Sequence, residues 1–200
     1  FSGSATAKKL LTVGPPQCSY GLPPRFFWTC GFTLSVAHKR QRRSQRKRAD
    51  FLLSVDDIGP RYEILRYPGK WGMFVNNMET LKQRGYRTTA YNTMSSLNIF
   101  YAVEFYKWAV KNFGNEVHSQ FVVDKQHLDI SYLPQHAKDC VLEQIANYKG
   151  KIFDSIREKL NTNKEECSQE LIKYILDLDG IRNTNYPETF KEWWTILNTK

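Results

Sequence analysis

Cysteine is scarce in this chain, and its few cysteines stand apart. Cys18, Cys30, Cys140 and Cys167 form no close pair and no Cys-x-x-x-Cys-x-x-Cys run. That spacing excludes a zinc ribbon and a loop that holds an iron-sulfur cluster through three neighbouring thiolates. A disulfide framework is not needed either, because 200 residues suffice to bury a sizeable core. No apolar run reaches the roughly eighteen residues of a membrane-crossing helix. There is no phosphate-cradling glycine loop and no Ser-His-Asp arrangement. Acid is nearly missing from one end. Residues 1–50 carry ten Lys+Arg against Asp50 alone, while residues 51–200 carry nineteen of each sign. The net charge of +9 therefore belongs to one segment and not to the whole. The opening FSGSATAKKLLTVGPP has no apolar stretch of signal-peptide length, which points to a cytoplasmic protein. It begins with Phe, so the start of the gene is expected upstream.

What is present divides into three parts. Residues 1–49 hold Gly-Pro-Pro, Leu-Pro-Pro, the cluster PRFFWTCGF and the basic run HKRQRRSQRKR, without sustained periodicity. They are expected to be irregular or disordered. From residue 50 the pattern becomes regular. DFLLSV is an apolar run of strand length. WGMFVNNMETLKQRG places Phe74, Val75, Met78 and Leu81 at helical spacing and ends on Gly85. YRTTAYNTM is rich in β-branched and aromatic residues and reads as a strand. SSLNIFYAVEFYKWAVKNFG reads as a helix closed by Gly114. HSQFVVD and HLDISYLP offer one or two further strands, and a helix is expected over 135–149, ended by Gly150. The alternation over 50–150 predicts an α/β fold with a parallel sheet. Residues 151–200 read as helices: KIFDSIREKL, KEECSQELIKYILDLDGI and YPETFKEWWTIL.

In parallel α/β sheets, working residues sit on the loops that leave the strands' carboxyl ends. Those loops are expected at Ser54–Asp57, Asn92–Asn98 and Asp129–Gln135. They offer short hydroxyl, amide and carboxylate groups, which suit a sugar diol. Arg66 suits a ligand carboxylate through a two-pronged charge-assisted contact. Turn formation and helix capping account for the Ser, Asp and Asn residues equally well, and Asn98 fits a cap. His118, His127 and His136 recur every nine residues, which shares no helix face, and read as exposed polar residues near strand ends. Cys140 and Cys167 read as half-buried thiols in helices, and Trp108, Trp193 and Trp194 as packing residues.

Four ordered segments resemble one family. SVDDIGPRYEILRYPGKW is similar to the SVD-G-IG strand end and E-x-x-R-Y-P-x-K-W helix entry of radical S-adenosylmethionine enzymes with a twitch-type C-terminal region. TTAYNTMSSLNIF resembles their T-x-S-x-x-N pattern, and HLDISYLPQHAK their D-I-x-x-L-P-x-x-x-K. LDGIRNTNYPETFKEW resembles their L-D-x-x-R-x-x-x-F-x-x-T-F-P-E-x tail. The resemblance covers residues 50–194. It implies the second half of a partial βα barrel of TIM type, followed by a helical tail. It also implies a 4Fe-4S cluster and S-adenosylmethionine as cofactors in the intact family, with hydrogen abstraction by a 5′-deoxyadenosyl radical. By the same resemblance Arg66 meets the methionyl carboxylate, Ser54, Asp56, Asn92 and Asn98 face the ribose or substrate, and Leu133-Pro134 lies near the adenine.

The family's three-cysteine loop and its G-G-E-P motif are absent. Phe1-Ser2-Gly3 matches the beginning of F-S-G-G-E-P, and the pattern resumes at residue 50 at normal spacing. Residues 4–49 are therefore expected to be translated out of frame, or to come from a foreign joint, inside a truncated gene. The isolated chain is expected to hold no cluster and to be inactive. The sheet edge of such a half-barrel is expected to favour self-association. Two other readings stay open: a basic protein that binds nucleic acid through residues 38–48, with seven Lys+Arg in that stretch, and a non-catalytic α/β scaffold that binds a partner.

Overall fold

The computed structural model describes residues 50–162 and 164–199. The basic run 38–48, the cluster around Trp28, Cys18 and Cys30 lie outside them. The described part is mixed α/β and mostly helical, around a three-stranded parallel sheet ordered β1-β2-β3.

β1 (Asp50–Ser54) leads through α1 (Gly59–Leu65) and α2 (Trp71–Gln83) to β2 (Arg87–Met94). α3 (Ala102–Phe113) returns the chain to β3 (Val117–Phe121). Register pairs Leu52 with Thr89, Ser54 with Tyr91 and Ala90 with Val117. Partners in register point to the same side and neighbours along a strand alternate. Leu53, Ala90 and Val117 therefore share the side that packs with Phe74, Met78, Phe105 and Ala109 of α2 and α3. The other side carries Leu52, Ser54, Tyr91, Thr93, His118 and Gln120. It is mostly polar, and Leu52, 55% exposed, stands open at the edge strand. Parallel sheets are normally covered on both faces. Here, among the described residues, helices clothe one.

The helices follow their apolar spacing. α2 buries Phe74 and Met78, and α3 buries Ala102, Phe105, Ala109 and Phe113. Gly85 and Gly114, with φ of 73° and 61°, take the left-handed backbone that ends each helix without a Cβ clash. α4 (Gln135–Ile145), α5 (Lys151–Leu160), α6 (Ser168–Arg182), α7 (Tyr186–Thr189) and α8 (Lys191–Leu197) complete the chain. Gly150 stands in the turn between α4 and α5, where the second boundary was expected. The helices beyond it share a core with the part before it, since Phe153, Ile156, Leu171 and Trp193 pack in one cluster with Met94, Ile99 and Val141.

Two expectations need correction, and one helix was not anticipated. HLDISYLP forms no strand but two short 3-10 turns, Gln126–Leu128 and Ile130–Tyr132. The Asp129 carboxylate accepts both the backbone N–H and the hydroxyl of Ser131, at 3.0 and 2.8 Å, and so turns the chain locally. GPRYEIL, for which no element of its own was expected, is α1, with proline in its first turn. Cys167 precedes α6 and does not lie within it. The fold shown is α/β with a parallel sheet. A partial barrel is not shown.

Candidate functional site

The polar residues expected at the strand ends do meet, at the carboxyl end of β1. Arg66 Nε lies 2.6 Å from Asp56 Oδ2, and its Nη2 donates to the Ser54 hydroxyl. Asp56 Oδ1 accepts the Thr93 N–H at 2.8 Å. Burial pushes the Asp56 carboxyl upward, against the pull of Arg66 and the Thr93 hydrogen bond.

Asn92 and Asn98 serve from below. Asn92 alternates with Tyr91, so it points to the helix-covered side, opposite Ser54. It is 1% exposed and its amide donates to Val55 O at 3.2 Å and Asp56 O at 3.0 Å. Its side-chain oxygen is buried with no hydrogen-bond partner. Asn98 donates to Asp56 O at 2.8 Å and Thr93 O at 3.1 Å, and its oxygen accepts the Ser95 N–H at 2.9 Å. One residue thus fastens the outlet of β1 to that of β2. The five residues form one connected network in which Ser54, Asp56 and Arg66 reach the surface and the two asparagines hold the backbone beneath them.

The C-terminal helices close over the second outlet. Trp193 Nε1 donates to Ser96 O at 2.7 Å, and the Tyr186 hydroxyl donates to Leu97 O at 2.5 Å. The LDGIRNTNYPETFKEW segment therefore fixes the 95–98 loop, with Asp179 in turn accepting from the Tyr186 N–H and the Thr184 hydroxyl.

The third expected loop, Asp129–Gln135, is built differently. β3 ends at Phe121, and Asp129 is buried in contact with Lys159, 3.0 Å away. Although burial works against it, the bonds from Ser131 and the charge of Lys159 hold the Asp129 carboxyl below its usual range. Leu133 is a core residue.

Sequence reasoning passed over Asp57 and Arg61. Asp57 is 0% exposed, and burial pushes its carboxyl up to about 7 despite the opposing charge of Arg61. The signal was two carboxylates in succession followed by an arginine four residues after the second, the spacing of one helical turn.

A hollow of about 710 Å³ lies elsewhere, lined by Gly59, Tyr67, Trp71, Asn183, Asn185 and Thr189 among others. None of the five network residues lines it. Among the described residues no group of three or more His, Cys, Asp or Glu could hold a metal ion. His118 is exposed, His127 lies against Tyr174 with ring centroids 4.8 Å apart, and His136 bonds Ile196 O at 2.9 Å. No helix among the described residues is long and apolar enough to cross a membrane.

No family model, no curated protein and no solved structure matches the chain.

Proposed function

We propose that residues 50–200 are the second half of a radical S-adenosylmethionine core, keeping the ligand-facing rim and lacking the part that makes the radical. The observation that carries this reading is the meeting of Ser54, Asp56 and Arg66 at the outlet of β1, beside the polar side of the sheet. A guanidinium held by one carboxylate and one hydroxyl can exchange that carboxylate for a ligand's, keeping a charge-assisted pair throughout. The exposed Ser54, with Thr93 and Gln120 on the same side of the sheet, supplies donors and acceptors for a ribose.

A cluster does not fit these residues. Cys140, on α4, and Cys167, before α6, are the two cysteines described, and a site-differentiated cluster needs three thiolates close together. Bound S-adenosylmethionine would bring a reactive sulfonium. This chain's own share is to orient it: Arg66 at the methionyl carboxylate, Asn92 and Asn98 keeping the two outlets in place.

The encoding nucleotides test this reading. Read in the other two frames across codons 4–49, one of them is expected to give G-G-E-P directly after Phe1-Ser2-Gly3, then a strand-helix-strand pattern. Upstream, a Cys-x-x-x-Cys-x-x-Cys loop is expected. If neither frame restores these features, the reading is wrong.

A further inference from the structure

α1 is an arch with both feet at the outlet of β1. Asp57 stands at one foot, and Arg66, which returns to Asp56 and Ser54, stands at the other. The arch itself is short, and Tyr62 packs it on Trp71 and Phe74 while Ile64 and Leu65 lean on the C-terminal core. It has seven residues, no side-chain cap on its first turn and no acid in that turn. Tyr62 is its one buried residue, and Arg182 Nη1 donates to Ile64 O at 3.2 Å.

The Asp57 carboxylate beneath it is poorly served. Oδ1 accepts only the N–H of the next residue, Ile58, at 2.8 Å. Arg61 Nε lies 3.0 Å from Oδ2, an ion pair in which the N–H is not aimed along the line of a good hydrogen bond. Arg61 is drawn the other way, with Nη2 donating to Glu104 on α3 at 2.6 Å and its guanidinium 4.1 Å from the centre of the Tyr101 ring. The other titratable groups around Asp57 do not relieve its carboxylate. Glu104 repels it, and the hydroxyl of Tyr186 on α7 is committed to Leu97 O. Tyr101 stands under Arg61, and burial first, then the charges of Glu192 of α8 and of Asp57, push its hydroxyl upward, so it carries no charge to offset that of Asp57. A buried carboxylate with one local hydrogen bond and a shared, misaligned cation is costly as an anion and cheap as an acid.

We propose that Asp57 makes α1 a proton-operated lid over the β1 outlet: closed while Asp57 carries a proton, opening to water when it ionises, and carrying Arg66 away as it opens. The sign follows from where the proton is held. In the closed form the Asp57 carboxyl is pushed up to about 7, and in water it returns toward 3.8. The closed form therefore binds the extra proton, so acid closes the lid and alkali opens it. The opening equilibrium is expected to rise roughly 100-fold between pH 5 and pH 8.5 and to level off above that, since both forms are then ionised.

Amide hydrogen exchange on the full chain, corrected for the intrinsic pH dependence of exchange, reads this directly. Protection of the Tyr62 and Arg66 amides, which bond to Ile58 O and Tyr62 O, is expected to fall across that range while protection in α2 and α3 holds. Asp57→Asn should flatten the dependence. Glu104→Gln removes a charge that raises the Asp57 carboxyl, and Glu104 is half-exposed, so this variant folds even if the first does not. It should move the midpoint to lower pH. Protection of α1 that does not change with pH, an unchanged dependence in Asp57→Asn, or an unmoved midpoint in Glu104→Gln would each overturn the lid.

Discussion

Trp193→Ala is expected to lower the unfolding free energy by about 4 kcal/mol, the usual cost of truncating a fully buried aromatic to alanine. Trp193 is 0% exposed, and its ring stacks on Phe100 at 5.3 Å between centroids. The deletion leaves a cavity between α8 and the turn that precedes α3. It also removes the donor from the carbonyl oxygen of buried Ser96. Domains of this size keep about 5–15 kcal/mol in total, so the variant should lose a large share of its margin and unfold at a clearly lower urea concentration. Trp193→Phe keeps most of the packing and loses the hydrogen bond, and should cost about 1–3 kcal/mol. Urea unfolding followed by far-ultraviolet circular dichroism separates the two. Equal losses for both would mean that packing on Phe100 contributes little, against the geometry.

Asn98→Ala should cost about 3 kcal/mol, because each buried polar group left unpaired costs about 1–3 kcal/mol. The more telling change is Asn98→Asp. If Asn98 merely capped the following turn, aspartate would serve as well. In the structure, however, the amide nitrogen faces two carbonyl oxygens, of Asp56 and Thr93. An aspartate would set a third oxygen, charged and buried, against both. Asn98→Asp is therefore expected to be at least as damaging as Asn98→Ala in the same unfolding experiment. A near-neutral result would reduce Asn98 to a cap and cut the tie between the two outlets.

Part of this architecture is legible in the sequence. DFLLSV, the Phe74-Met78 spacing, the β-branched run before Met94 and the glycines at 85 and 114 announce two strands and two helices, because burial and backbone freedom act locally there. The failures have physical reasons. Leu128 and Ile130 alternate as in a strand and both are buried, but the Asp129 side chain captures the Ser131 amide and Lys159 pairs with it, so the segment turns instead. α1 is too short to show a period. Pro60, which suits a first turn, was its one local sign.

The site divides in the same way. That polar residues gather at strand ends could be read from position. Which of them face outward could not. Asn92 and Asn98 become braces through backbone oxygens 36 to 42 residues away, and no local pattern encodes such a contact. Asp57 reads as a turn residue, and becomes a buried acid only because α1, α3 and the C-terminal helices close around it.

A titration of the isotopically labelled chain with S-adenosylmethionine, followed residue by residue by heteronuclear NMR at pH 6, tests the central claim most directly. The account predicts shifts centred on Ser54, Asp56, Arg66 and Thr93, lost in Arg66→Ala. Shifts confined to Asn183, Asn185 and Thr189, or no shifts at millimolar ligand, would contradict it.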